Sequence, residues 1–251
     1  IHGREDIFGV MGSKPIHIMS PEERKKSMKI SDYFIDTGRS KESLEKLVAV
    51  GDFVTRHSPL MELGDCVNVK SLDNRASVFL LIETLRQLKK SRGKPGYDFY
   101  AVFTVQEEVG LRGAQASAIQ VQPDFSFGLD TTIAYDVPGS KPEERCTRLG
   151  KGAAIKLMDS SVICDYRMIA FMKATADKHN IKWQTEILSG GGTDTASLQR
   201  MSAGGSIAGA ISVPTRHIHQ PIETTNKKDL EACIKLLTAC VRDLDKPSWA
   251  F

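Results

Sequence analysis

Carboxylates and histidines stand where predicted strands end and a predicted helix begins. Glu107 and Glu108 follow one predicted strand, Asp130 follows a second, and His217 and His219 follow a third. Asp73 comes directly before a long predicted helix. Because ligands of open α/β sheets bind beyond the carboxyl ends of the strands, these side chains are predicted to meet at one rim.

Asp73, Glu108, Asp130 and His219 together are a candidate set of metal ligands. Two divalent cations roughly 3.5–4 Å apart can polarise a carbonyl and generate hydroxide from water. A short carboxylate such as Asp73 can bridge the ions, and histidine supplies a neutral nitrogen ligand. In the pair Glu107–Glu108, one residue can bind metal while its neighbour acts as general base.

Each of these residues also has a purely structural interpretation. Glutamates at a helix start interact favourably with the helix dipole, Asp73 can be an N-cap, and Asp130 can form a turn. Each residue considered singly favours the structural interpretation, but the coincidence of all four at sheet ends favours a metal site. His217 and His219 share a face if the strand stays extended, so periodicity leaves both as candidate ligands.

A glycine-rich segment, Ser-Gly-Gly-Gly-Thr-Asp at positions 189–194, is a weaker signal. Gly192, Thr193 and Asp194 are candidate substrate-binding residues. The segment is equally well explained as a flexible turn into a helix that Thr193 or Asp194 caps.

Residues 59–251 have the pattern of an α/β domain, and residues 1–58 that of a small β-rich module. In the larger part, alternating helices and strands predict a mixed, largely parallel sheet sandwiched by helices. Its helices are predicted at 74–90, 111–119, 166–179, 194–199 and 228–244. Its strands are predicted at 97–105, 125–129, 153–157, 183–187 and 207–213. In the smaller part, we predict strands near 7–11 and 33–36 and a helix over 41–48 with Ser40 as its N-cap.

The composition of the 251 residues, with 41% apolar and 26% charged residues, is that of a globular protein. The net charge is only +3 and the basic residues are scattered, so no nucleic-acid or membrane partner is expected. A membrane-spanning helix needs roughly 20 apolar residues, and no stretch approaches that length. The five cysteines form no C-x-x-C pair, which favours reduced thiols and a cytoplasmic location.

Four motifs resemble a known family of enzymes. They are Gln-Glu-Glu-Val-Gly-Leu-Arg-Gly-Ala at 106–114, Ser-Leu-Asp-Asn-Arg at 71–75, Gly-Gly-Thr-Asp at 191–194 and Val-Pro-Thr-Arg-His-Ile-His at 213–219. In this order they resemble the dinuclear metalloaminopeptidases that assemble into tetrahedral particles. That family includes glutamyl, leucyl, lysyl and deblocking aminopeptidases, and some members carry the label cellulase M or endoglucanase.

The resemblance implies a role for each candidate residue. Asp73 bridges two divalent ions, zinc or cobalt, Glu108 and Asp130 are terminal ligands on different ions, and His219 rather than His217 completes the site. Glu107 is the general base for a two-metal-activated water. The implied activity is release of N-terminal residues from short peptides.

The resemblance also implies homo-oligomers, from a dimer up to a dodecamer. The family inserts a β-rich module that mediates dimer formation, and residues 1–58 look like the later part of that module.

One departure from the family pattern concerns a further metal ligand. The family supplies a His in a His-x-Asp motif before the inserted module, and no His-x-Asp occurs here. We therefore expect that an N-terminal part of roughly one hundred residues, judged by usual domain sizes, precedes residue 1. Two alternatives remain. One is an inactive or truncated relative that serves only in assembly. The other is a dinuclear hydrolase of another bond, a deacylase or an endoglucanase, although glycosidases usually use two carboxylates without metal.

Overall fold

A computed structural model describes residues 1–90 and 96–249. The chain divides into two compact units, Ile1–His57 and Ser58–Phe251. The strands are β1 (Val10–Ser13), β2 (Tyr33–Asp36), β3 (Met61–Leu63), β4 (Cys66–Val69), β5 (Phe125–Ile133), β6 (Ala153–Met158), β7 (Trp183–Ile187), β8 (Ile207–Arg216) and β9 (Glu223–Asn226). The helices are α1 (Pro21–Arg24), α2 (Lys41–Leu44), α3 (Leu72–Lys90), α4 (Arg112–Val121), α5 (Tyr166–Lys178), α6 (Asp194–Arg200) and α7 (Lys227–Asp243).

The first unit is built on one small sheet. Strands β1 and β2 pair antiparallel, and the Ser40 hydroxyl accepts a hydrogen bond from the Ser43 amide at the start of α2, as predicted. Helix α2 is shorter than the predicted helix, because it ends at Leu44. Among the apolar side chains of this unit, Ile7 is buried while Val10 and Phe34 are exposed. The unit therefore has little apolar core of its own.

The second unit contains a seven-stranded mixed sheet in the order β3-β4-β9-β8-β6-β7, with β5 paired to β8. The pairs β5–β8 and β6–β7 are parallel, and the remaining pairs are antiparallel. The predicted α/β sheet between helices is confirmed. Among the described strands, parallel pairs are the minority, because the central strands β6 and β8 pair antiparallel and the short strands β3, β4 and β9 add further antiparallel pairs.

One face of this sheet carries the hydrophobic core. Helices α3, α5 and α7 pack there, burying Leu80, Met168 and Leu236 against Ile211 of β8. A Cβ at Gly209 would lie 2.5 Å from Met168 Cγ, so only glycine lets α5 approach β8 this closely. Packing of these long helices on one face of the sheet therefore positions the start of α3 relative to the ends of β5 and β8.

The strand predicted at 97–105 is wrong. None of these residues belongs to a strand, although all lie in the described part of the chain, and Tyr100, Phe103 and Val105 are exposed. Aromatic and β-branched residues favour extended backbone, but a strand forms only where a neighbour accepts its backbone hydrogen bonds. Among the described strands, β5 pairs with β8 and none pairs with this segment.

Two further expectations can be compared with the structure. All five cysteines are free, with Cys164, Cys233 and Cys240 buried and Cys66 and Cys146 half-buried. Among the described residues, no helix has the combination of length and hydropathy that crossing a membrane requires.

Candidate metal centre

Three of the four predicted ligands converge on one point. His219 Nε2 lies 3.2 Å from Asp73 Oδ2 and 3.5 Å from Glu108 Oε2. One potential ligand atom from each of the three residues lies within 4.8 Å of the other two. These residues come from the start of α3, the turn after residue 105 and the loop after β8, so the fold and not local sequence brings them together.

Asp73 is held at the first turn of α3 by contacts on both sides. Asp73 and Asn74 have non-helical backbone angles, and the helix runs regularly only after them. The Asp73 amide donates to Glu223 Oε2 at 2.8 Å, and Asn74 Nδ2 donates to the Leu129 carbonyl at 3.0 Å. The first contact links Asp73 to β9, and the second links the adjacent Asn74 to β5.

A tight turn presents Glu107 and Glu108 differently. The amides of Gly110 and Leu111 both donate to the Glu107 carbonyl, at 3.0 and 2.9 Å. Gly110 has a φ of 120°, and a Cβ at Gly113 would lie 2.5 Å from the Val105 nitrogen. The glycines of the motif are therefore required by the turn. Glu108 joins the three-residue group, whereas Glu107 is half-buried beside it.

The backbone places the two histidines differently. Strand β8 ends at Arg216, and His217 and His219 have left-handed φ values of 64° and 61°. The alternation of an extended strand therefore stops before His217, and the two rings do not share a strand face. His219 reaches Asp73 and Glu108, while His217 is not part of the group.

Asp130, the fourth predicted ligand, lies next to this group but not within it. It sits inside β5, which runs to Ile133 instead of ending at residue 129. Its side chain is buried, and its Oδ1 accepts the Thr131 amide at 2.8 Å. Burial raises the pKa of Asp130 well above its usual range, and the charges of Asp73 and Glu107 raise it further.

The electrostatics of the site are those of crowded carboxylates. Burial raises the pKa of Asp73, and the nearby charges of Glu108 and Glu223 add to the effect. Burial also raises the pKa of Glu107 to about 7, with further contributions from Asp194 and Glu108. A divalent cation among these groups would offset their repulsion, and carboxylate oxygens with an imidazole nitrogen are suitable ligands for zinc or cobalt. The residues present therefore fit a divalent metal.

Glu223 is a site residue that the sequence analysis missed. Its side chain is 3% exposed, and its two oxygens accept the amides of two candidate ligands. These are Asp73, at 2.8 Å, and His219, at 3.3 Å. Glu223 lies on the unpredicted strand β9, and its position four residues after His219 is the only signal that could have indicated it.

The glycine-rich segment leads into α6 and turns one of its residues inward. The Thr193 hydroxyl is buried and donates to Asp159 Oδ2 at 3.2 Å, and it makes no capping bond to α6. Asp194 is the first residue of α6, and its Oδ2 accepts the Thr104 hydroxyl at 2.6 Å. Gly192 is exposed. Thr193 thus contacts the interior of the protein, while the charge of Asp194 raises the pKa of Glu107.

The fold and the site define an α/β protein with a carboxylate–histidine centre suited to divalent metal. Residues 1–236 match the family described as M42 glutamyl aminopeptidase, and the chain belongs to this family.

Three similar proteins illustrate the match. An Acetivibrio thermocellus protein, provisionally named an aminopeptidase, is 38% identical over 234 residues, which cover 93% of this chain and 68% of the relative. The crystal structure of a TET aminopeptidase from a marine sediment Thaumarchaeota archaeon is 38% identical, with a TM-score of 0.87 and coverage of 96% and 68%. The TET1 peptidase of Pyrococcus horikoshii, described as assembling into a tetrahedron or a large octahedral shell, is 33% identical, with a TM-score of 0.77 and coverage of 94% and 68%. The chain thus spans about two thirds of the length of these proteins.

Proposed function

We propose that this chain carries the catalytic site of a metal-dependent aminopeptidase that releases N-terminal residues from short peptides. The observation that carries the proposal is the convergence of Asp73, Glu108 and His219 within 4.8 Å, with Glu107 beside them but outside the group. Membership of the M42 family supports the same activity.

Four side chains of the described residues would contribute ligands to two divalent ions, zinc or cobalt. Asp73 lies 3.2 Å from His219 Nε2 and its charge acts on Asp130, so it would be the ligand that the two ions share. Glu108, Asp130 and His219 would each complete one ion. When bound, the ions would supply Lewis-acid chemistry, by polarising the scissile carbonyl and making water acidic near neutral pH.

Glu107 is the proposed general base. Its carboxylate borders the ligand group without belonging to it, so it remains free to accept a proton from the attacking water. The same carboxyl would then donate that proton to the departing amine. The neighbouring segment, through Gly192 and Asp194, would line the position of the peptide, and Thr193 would support it from within.

We propose the first unit as an assembly module. Residues 1–58 leave Phe8, Val10 and Phe34 exposed, and exposed apolar patches of this kind mark protein–protein contacts. The described assembly of the TET1 relative supports a homo-oligomer, between a dimer and a dodecamer, as the partner. Residues 59–251 would then be the catalytic domain.

The test of the function is hydrolysis of aminoacyl p-nitroanilides by the purified protein, with N-acetylated anilides as a matched control. We expect hydrolysis of the free-amine substrates alone, loss on chelation, and recovery when zinc or cobalt is restored. Hydrolysis that persists in chelator would contradict metal dependence. Absence of hydrolysis, with an ion content well below two per chain, would instead support a relative that serves only in assembly.

A further inference from the structure

A buried lysine on the sheet is surrounded by two buried acids. The Lys156 side chain is 1% exposed, and its Nζ lies 3.0 Å from Asp159 Oδ2 and 3.1 Å from Glu186 Oε1. Lys156 and Glu186 are direct register partners of β6 and β7. Burial alone would lower the pKa of Lys156, but the attraction of Glu186 and Asp159 outweighs it and raises the pKa, so the side chain remains an ammonium.

The first arm of this network reaches the glycine-rich segment. Asp159 Oδ2, which accepts from Lys156, also accepts the Thr193 hydroxyl at 3.2 Å. The next residue along, Ser160, donates its amide to the Gly191 carbonyl at 3.2 Å. Thr193 directly precedes Asp194, whose charge acts on Glu107. The acid that holds the lysine therefore also holds the loop beside the proposed base.

The second arm reaches the strand that carries a proposed metal ligand. Glu186 Oε1 accepts the Thr132 hydroxyl at 2.8 Å. Thr132 and Asp130 are two residues apart on β5, so their side chains project from the same face of the sheet. All the groups of this arm are buried. The position of Asp130 is therefore linked through Glu186 to the same ammonium.

Such a network needs a reason beyond stability. Buried ion pairs can usually be replaced by apolar side chains without loss of stability, because desolvation offsets their attraction. Their directional bonds do, however, fix one arrangement of the groups that make them. Here Asp159 bonds the glycine-rich segment at 189–194, whereas Glu186 bonds the strand that carries Asp130.

We propose that Lys156 is a positioning residue that anchors both the substrate-lining segment at 189–194 and the Asp130 end of β5. This inference rests on the proposed aminopeptidase function. Through Asp159, Lys156 fixes the position of the loop that would line the peptide. Through Glu186, it fixes the position of the strand that would carry a metal ligand. Lys156 itself touches neither.

The test cuts one arm at a time without changing charge. Thr193→Val and Thr132→Val replace a hydroxyl by a methyl of similar shape, and each removes one hydrogen bond to an acid that holds Lys156. Thr193→Val also removes the contact of its hydroxyl with Thr195 Oγ1 at 3.2 Å. Thr84→Val is the matched control, because the buried Thr84 hydroxyl on α3 has no hydrogen-bond partner among the described residues. Lys156→Met would leave two buried acids without a cation and risks unfolding, so the threonine variants carry the test.

The readouts are KM and kcat for an aminoacyl p-nitroanilide and Zn²⁺ affinity from competition with a chromophoric chelator. We expect Thr193→Val to raise KM about fivefold with unchanged Zn²⁺ affinity, the effect of losing one hydrogen bond. We expect Thr132→Val to weaken Zn²⁺ affinity about fivefold with KM unchanged at saturating metal. Thr84→Val should change neither.

Two results would overturn this positioning role. One is that both variants behave as Thr84→Val does. The other is that both change KM and Zn²⁺ affinity together, in proportion to a lowered melting temperature, as a merely structural role would require. If the wild-type protein hydrolyses no anilide, the proposed function fails on its own, while the Zn²⁺ affinities of Thr132→Val and Thr84→Val still decide whether the network positions Asp130.

Discussion

Replacing Glu223 by Gln should weaken metal binding more than it destabilises the fold. The Glu223 carboxylate is buried and accepts the amides of Asp73 and His219 at 2.8 and 3.3 Å. Hydrogen bonds to a charged group contribute about 1.5–3 kcal/mol each. In Glu223→Gln, one amide oxygen can still accept, but the NH₂ group faces the second amide and leaves it unpaired.

The longer bond, to His219, is the one that we expect to be lost. A loss of about 2 kcal/mol, if it falls on the alignment of Asp73 and His219, corresponds to roughly 30-fold in metal affinity. This lies within the range of about 10–100-fold that follows removal of groups behind metal ligands. The assay is Zn²⁺ affinity by chelator competition, together with the free energy of unfolding of the metal-free protein.

The control for this experiment is Glu62→Gln, which changes an exposed carboxylate paired with Lys227. It should leave the metal affinity unchanged. A Glu223→Gln variant that binds Zn²⁺ as tightly as the wild-type protein would contradict this role of Glu223. So would a variant whose whole loss of free energy appears in the unfolding of the metal-free protein.

Three further predictions concern other parts of the chain. Burial would raise the pKa of Asp243, but hydrogen bonds from Lys178 and other cations outweigh burial and lower the pKa in the folded protein. The Asp243 carboxylate therefore stabilises the fold at pH values above its unfolded pKa of about 4. That stabilisation is lost as the pH falls through the lower pKa of the folded protein. Chemical denaturation should therefore show Asp243→Asn less stable than wild type by about 1 kcal/mol at pH 7, with the difference closing towards pH 2, and a pH-independent difference would contradict this. Leu80→Ala, in the fully buried core of α3, should cost about 2–5 kcal/mol in unfolding free energy, whereas exposed Lys89→Ala should stay within about 0.5 kcal/mol; equal effects would contradict the packing described. Val10→Asp, on the exposed face of the first unit, should reduce the particle mass measured by light scattering, and an unchanged mass would exclude that face from the assembly contact.

Periodicity and local signals were sufficient for the elements that pack through their own pattern. The apolar spacing after Asp73 predicts the regular part of α3, and the predicted strand at 183–187 matches β7 residue for residue. The same reasoning fails at 97–105, because composition reports a preference for extended backbone and not the presence of a pairing strand. Strand β9 shows the opposite case. Its polar sequence Glu-Thr-Thr-Asn does not predict a strand, but it forms one because β4 and β8 lie beside it and pair with it.

The candidate site was predictable to the extent that strand ends share a rim. Asp73, Glu108 and His219 meet as expected from that rule. The choice of His219 over His217 depends on left-handed backbone angles that side-chain periodicity does not reveal. Glu223 and the Lys156 network could not be predicted, because their partners are distant in sequence and only the folded sheet brings them together.

The proposed mechanism requires that Glu107 stands next to the proposed metal ligands without being one of them. The decisive measurement is the Zn²⁺ content and affinity of purified Glu107→Gln, determined on the same sample as its rate of aminoacyl anilide hydrolysis. We expect the variant to bind zinc as tightly as the wild-type protein does, while its rate of hydrolysis falls by about 10²–10⁴-fold, the usual contribution of a general base. Hydrolysis by Glu107→Gln at the wild-type rate, or loss of zinc together with activity, would contradict the proposed role of Glu107.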